Sequence, residues 1–259
     1  MEPDTKEQPS PILNPSSFFP EYGKTKNLWK RDPVTHVVLP HQTENRVVAE
    51  LASAKIWYGT EKLDGCNMRI GLVPDRPEFV FVGGRTDAAV LNPGLVSAVQ
   101  RDVMTAHDAG RFREALAPFK TEGKAVTIYG EGVGGGVQKN GADYGDHRFI
   151  LFDVLIAPLT GGPGTWLALD DVLQFAATAG FQAAPIIVGM STLAAAEEIA
   201  LCGFDSVVAK NSTGIQRRAE GLVVRTRFPI FDTFGNLLKV KMRTKEMAEA
   251  CWRLAEPKA

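Results

Sequence analysis

Strand-like runs dominate this chain and do not alternate regularly with helical ones. Ile56-Trp57-Tyr58, Cys66 to Val73 and Phe79 to Val82 are rich in β-branched and aromatic residues or alternate apolar with polar, and the last ends at Gly83-Gly84. Val126 to Tyr129 reads as a buried strand entering a glycine-rich loop, and Phe149 to Ile156 as another strand. Leu222 to Arg227 and Leu237 to Met242 form a further pair, joined by the turn signal Phe234-Gly235-Asn236. Helical periodicity is confined to a few places. Leu95 to Phe119 predicts a long or broken helix, Leu169 to Ala179 one that stops at Gly180, and Ser191-Thr192 cap another that stops at Gly203. Met247 to Leu254 is amphipathic and is expected to dock Met247, Cys251, Trp252 and Leu254 on the core. A doubly wound fold needs regular alternation of strand and helix. This order instead predicts an α+β fold of mainly antiparallel sheets with flanking helices.

The remaining bounds are broad. With 44% hydrophobic and 23% charged residues over 259 positions, the chain can bury a sizeable core. Its longest apolar run, Phe149 to Leu159, is broken by Asp153 and Pro158, so no membrane span is expected. The start Met1-Glu2-Pro3-Asp4 lacks the pattern of a signal peptide, and the expected location is the cytoplasm. Cys66, Cys202 and Cys251 are expected to be buried thiols, and no Cys/His spacing suggests zinc. His36, His41, His107 and His147 show no triad-like arrangement. A net charge of −1 means that any phosphate backbone would be held by local clusters: Lys24, Lys26, Lys30 and Arg31, Arg217 and Arg218, or Lys239 through Lys245. Each cluster alone also fits a solvated face. Residues 1 to about 17 are expected to be an unstructured arm, and 18–259 one domain.

Four segments carry the chemistry, in this order: Glu61-Lys62-Leu63-Asp64-Gly65-Cys66-Asn67, Tyr129-Gly130-Glu131-Gly132, Glu220-Gly221-Leu222-Val223-Val224-Arg225 and Lys239-Val240-Lys241. A lysine amine is a poor nucleophile at neutral pH because its reference pKa is about 10.4. Lowering it by two to three units requires roughly 3 to 4 kcal/mol, which desolvation and nearby cations supply. Strand alternation places Lys239 and Lys241 on one face, where two cations could act on Lys62 and on a phosphate together. Taken by themselves they also fit an exposed strand face. Glu131 and Glu220 are both suitable hard ligands for a divalent metal, and spacing alone does not choose between them. The glycines from Gly130 to Gly141 lack the ending of a P-loop and the context of a dinucleotide fingerprint.

In this order the motifs resemble the covalent nucleotidyltransferases, specifically ATP-dependent RNA ligases of the phage nick-sealing and editing-ligase type. The similarity runs from about Tyr22 to Arg243 at the level of motifs. It implies a nucleotidyltransferase (ATP-grasp-like ligase) fold, ATP with Mg²⁺ or Mn²⁺, and Lys62 as the adenylated nucleophile. By the same resemblance Glu131 sits at the ribose and catalytic centre, and Glu220 binds metal. Phe152 stacks on adenine, although a core strand with inward phenylalanines is the competing reading. Arg85 lies near the nucleotide and an incoming 5′ phosphate, and Glu61 helps read the base. Asn67 separates RNA ligases from many DNA ligases and capping enzymes, which place arginine there.

The resemblance departs at the end, where little sequence follows Lys241 and neither an OB-fold nor a helical C-terminal domain is expected. The first reading is therefore an RNA ligase acting on RNA, as a nicked duplex or RNA/DNA hybrid, with a partner protein or domain assisting strand binding. A GTP-dependent capping enzyme or DNA ligase is a second reading, disfavoured by Asn67. A non-catalytic nucleic-acid-binding module is a third, disfavoured by the intact Lys62, Glu131, Glu220, Lys239 and Lys241.

Overall fold

The computed structural model describes residues 15–43, 45–76 and 78–255. The strands are β1 (Lys26–Asn27), β2 (Trp57–Lys62), β3 (Cys66–Leu72), β4 (Val80–Gly84), β5 (Lys124–Val133), β6 (Arg148–Pro158), β7 (Thr165–Trp166), β8 (Gln182–Ala183), β9 (Ile186–Ser191), β10 (Gly221–Thr226) and β11 (Lys239–Arg243). The helices are α1 (Pro15–Phe18), α2 (Arg46–Glu50), α3 (Pro93–Asp108), α4 (Arg111–Leu116), α5 (Leu169–Ala179), α6 (Leu193–Cys202), α7 (Val207–Thr213) and α8 (Thr244–Ala255). Most of the expected arm lies outside the described residues, and its end forms α1.

Two sheets result. One has the order β1-β11-β10-β2-β9, and the other β4-β3-β5-β6-β7 with β8 against β6. Pairing is antiparallel except for β1 with β11 and β8 with β6, as the α+β expectation requires. Helix α3 starts where Asn92 accepts a hydrogen bond from Leu95 N, with Pro93 in the first turn. Its stripe of Leu95, Val99 and Val103 is fully buried in one cluster with Met68, Ile70, Val126 and Ile128 of the second sheet. Full burial of each such side chain is worth about 1.5–3 kcal/mol. On the first sheet, Leu222, Val224, Val240 and Met242 share a core with Ala196 and Ala200 of α6 and Met247 and Ala250 of α8.

Several expectations need correction. The Gly130-Glu131-Gly132 segment is not a loop: it continues β5, with Glu131 opposite Asn67 of β3 and Ile150 of β6. Trp252 on α8 is 64% exposed and does not join the core. The cysteines are not buried thiols: Cys202 is exposed, and Cys66 and Cys251 are half-buried. Among the described residues no helix is long and apolar enough to cross a membrane.

Candidate active site

The chain leaves the first sheet at Lys62, the last residue of β2, and enters the second at Cys66, the first of β3. The lysine motif is therefore the crossover between the sheets. Gly65 makes the crossover possible: a Cβ there would collide with the carbonyl of Gly132 and come within 2.8 Å of Glu131 Cγ. Gly221 does the same for Glu220. Its φ of 151° is strained for other residues, and a Cβ would strike the Met242 carbonyl.

Lys62, Asn67, Arg85, Glu131, Phe152, Lys239 and Lys241 all line one cavity of about 270 Å³. Glu220 reaches Lys62 directly, accepting from its ammonium, and also accepts from Arg243 Nε at 2.9 Å. Register explains these contacts. Gly221 is paired with Lys62 on one side and with Arg243 on the other. Burial pushes the Glu131 carboxyl up to about 7; the Lys62 ammonium opposes this and the Glu220 charge adds to it. Asn67 Oδ1 is buried and has no hydrogen-bond partner among the described residues. Such an orphaned acceptor at a cavity wall is what a ligand donor would satisfy.

Lys239 and Lys241 do face the same way on β11, where Val240 and Met242 point into the core. Desolvation pushes Lys239 down to about 8, against the pull of Asp153. Lys241 is also pushed down to about 8, first by desolvation and then by the charges of Arg243, Lys62 and Lys24. Both ammonium groups are poorly solvated; Lys239 has Asp153 as its anion, whereas Lys241 forms no salt bridge among the described residues. Phe152 owes its place to a bulge. The β5–β6 register moves from Tyr129↔Asp153 to Gly130↔Leu151, so Phe152 is the unpaired extra residue. Its ring lies 5.1 Å from that of Tyr22.

Glu61 lines the cavity, but its side chain has another duty. Its carboxylate accepts from Ser206 Oγ and from the backbone N–H of Val207 (2.9 Å) and Val208 (3.2 Å), anchoring the start of α7. Arg217 is not a free phosphate contact. It bridges Asp64 and Asp143 at 3.6 and 3.3 Å, lies over the Tyr144 ring and holds the motif loop. Arg218, by contrast, is largely exposed.

The same cavity wall carries a charge network centred on Asp153, which lies outside the four motif segments. Asp153 of β6 pairs with Arg225 of β10 and with Lys239 at 3.4 Å, and Tyr22 donates to the same carboxylate. Burial would raise the Asp153 carboxyl, yet Arg225 and then Lys239 hold it below the ordinary carboxylate range. The Lys239 ammonium also lies 3.6 Å from the centre of the Tyr22 ring. The available signal was Asp153 itself, a lone charge in an apolar run, which must find a cation when buried.

A family model described as RNA ligase matches residues 55–241. No curated protein sequence matches. Among solved structures, a Naegleria gruberi RNA ligase mutant with ATP and Mn aligns at 17% identity with a TM-score of 0.51, over 95% of this chain and 64% of that one. A second Naegleria gruberi RNA ligase mutant with ATP and Mn gives 17% and 0.50, over 87% and 60%. An archaeal ATP-dependent RNA ligase gives 16% and 0.52, over 88% and 49%. The chain thus spans less than two thirds of the length of these structures, and at such identities the likeness establishes the fold. The family match itself extends from just before β2 through Lys241, most of the sequence, and the chain belongs to the RNA ligase family.

Proposed function

We propose that this chain is an ATP-dependent RNA ligase that works through covalent adenylation of Lys62. The observation that carries the reading is convergence on one small cavity of the Lys62 amine, the poorly solvated Lys239 and Lys241 and the Glu131 carboxylate, with Glu220 beside it in contact with Lys62. Lys62 Nζ forms a bond to the α-phosphorus of ATP as the bond from that phosphorus to the bridging oxygen breaks. Pyrophosphate leaves with the electron pair; the attack requires Lys62, which rests in an ion pair with Glu220, to have given up its ammonium proton to solvent first. Lys239 and Lys241 stabilise the charge that accumulates on the phosphate oxygens. AMP then passes to a 5′-phosphate of RNA, and a 3′-hydroxyl displaces it to form the phosphodiester.

The donor set fits a divalent cation. Among the described residues no group of three or more His, Cys, Asp or Glu could hold one, whereas Mg²⁺ characteristically takes one or two carboxylates and completes its shell with phosphates and water. Glu131 and Glu220 would hold the ion. Bound there, Mg²⁺ or Mn²⁺ supplies charge neutralisation at the phosphates. Arg85 is the residue for an incoming 5′-phosphate and Phe152 the ring for adenine. RNA as a nicked duplex or RNA/DNA hybrid, assisted by a partner protein or domain, is our reading of the substrate. The free cysteines suit a reducing cytoplasm.

The test is incubation with α-labelled ATP or GTP and Mg²⁺, followed by denaturing electrophoresis and peptide mapping. Label from ATP should travel with the protein and map to Lys62, and Lys62→Ala should abolish it. Label on another lysine, or from GTP alone, overturns the reading.

A further inference from the structure

Next to the Lys62 cavity is a larger open cleft of about 630 Å³, and the two share Gly23, Lys24, Thr25, Lys239 and Lys241. One wall is the stretch containing Lys24, Lys26 and Lys30, with Glu21; another is formed by Asp232, Gly235, Asn236 and Leu237 of the turn that carries Phe234 at the rim of the cleft. Lys24 and Lys26 are exposed and Lys30 is half-buried, and none of the three forms a salt bridge among the described residues. Asn27, between them, keeps a buried Oδ1 without a hydrogen-bond partner there.

The turn is rigidly built. Asp232 accepts from the backbone N–H of Phe234 and of Asn236, both at 2.9 Å, and Phe231 bridges to Leu237. This turn holds the Phe234 ring 85% exposed and Phe231 45% exposed. Scattered exposed apolar side chains are ordinary, but two rings on one tied turn beside three lysines without salt bridges are a combination with a use. Single-stranded nucleic acid is held by a cationic track for its phosphates and aromatic faces for its bases.

We propose that this cleft holds a single-stranded segment of RNA, with phosphates on Lys24, Lys26 and Lys30 and, where the strand leaves over the turn, a base stacked on the exposed Phe234. The inference rests on the RNA-ligase reading for the choice of RNA. The competing occupant is the triphosphate of ATP, which would use the shared lysines and has no need of the ring.

The experiment measures binding of a labelled single-stranded oligoribonucleotide to the full chain by fluorescence anisotropy across a salt series, beside self-adenylation by ATP. Phe234→Ala should weaken RNA binding about tenfold, as loss of one base stack does. Lys26→Ala/Lys30→Ala should also weaken it and flatten the slope of log affinity against log salt by about 1.4, at about 0.7 per phosphate contact. Trp252→Ala, an exposed ring on α8, should change nothing. The adenylation rate and the KM for ATP should be unchanged in the Phe234 and Lys26/Lys30 variants. RNA affinities of both within about twofold of the parent overturn the proposal, as does a raised KM for ATP with RNA affinity intact. Absence of adenylation with RNA binding still dependent on Phe234 supports the cleft and removes the catalytic reading instead.

Discussion

Replacing Asp153 with Asn tests the account of the buried network most directly. Arg225, Lys239 and Asp153 have side chains only 5%, 8% and 4% exposed, so their charges interact with little screening. Asn keeps the shape and removes the anion, leaving Arg225 a buried cation without its partner, Lys239 pushed further towards its neutral form and Tyr22 with a weaker acceptor. Breaking a buried pair this way costs about 3–5 kcal/mol. Unfolding entropy is about 2.1 cal/mol/K per residue, so over 259 residues it is about 0.5 kcal/mol/K, and the midpoint should fall by about 6–10 °C. The native state holds the Asp153 pKa below its unfolded value. Its stabilisation is therefore present above about pH 4 and lost as pH falls through the native pKa. The difference between parent and variant should shrink in acid.

Urea and thermal denaturation of the parent, Asp153→Asn, Arg225→Met and the double variant would measure this as a cycle. An interaction energy of at least about 2 kcal/mol is expected, because the double variant removes both charges of the closest pair. If the single effects add to within about 0.5 kcal/mol, or the midpoint of Asp153→Asn falls by less than about 2 °C, the two sheets are not joined through this pair.

Other substitutions probe the cavity. Lys241→Ala should slow self-adenylation by about a hundredfold or more, and the exposed Arg218→Ala should have little effect; equal mild effects would make Lys241 a surface charge. Glu220→Ala should impair adenylation in a way partly relieved by raising Mg²⁺ or Mn²⁺, and unchanged metal dependence with full turnover would leave Glu220 a structural role. In chelator, Glu131→Gln should match the parent in stability below about pH 4.5 and exceed it by up to about 3 kcal/mol above about pH 7. The sign follows because a raised native pKa favours the protonated form, so stability is lost as pH rises through that window. A difference that stays flat between these pH values would show that Glu131 is not desolvated.

The elements legible in the sequence were those whose period is set by their own burial. Met68 and Ile70 face one core and Leu222 and Val224 another, and such alternation marks a strand from the order of its residues alone. What stayed hidden depended on distant partners. Helix α7, with the sequence Val-Val-Ala-Lys-Asn-Ser-Thr, contains poor helix formers, yet it forms because Ser206 caps it and Glu61, far earlier in the chain, receives its first N–H groups. Strand β9 is largely exposed and carries Gly189 and Met190, so it offers no apolar period. Glu131 looked like a loop residue because glycines flank it. Of the site, the lysines and acids of the motifs were readable. The buried pair Asp153–Arg225 and the detention of Arg217 by Asp64 and Asp143 were not, because both rest on tertiary contacts.

The two sheets contribute different parts of the cavity, and this constrains how it can fail. Lys62, Glu220, Lys239 and Lys241 lie on or beside strands of the first sheet; Asn67, Glu131, Phe152 and Asp153 belong to the second. Neither set is a site by itself. Lys239 of the first takes its anion, Asp153, from the second, and the desolvation that raises Glu131 exists only when the sheets are packed. The sheets are tied at the crossover 62–66, where Gly65 permits the close approach to Gly132, and by Asp153 and Arg225 across the gap. A substitution that loosens either tie should therefore act on the cavity as a whole. It should raise the solvation of Lys239 and Glu131 together, and return both pKa values towards their ordinary ranges, without replacing any residue proposed to bind ATP. Loss of adenylation with those pKa shifts intact would place the defect at one contact instead of in the seating of one sheet on the other.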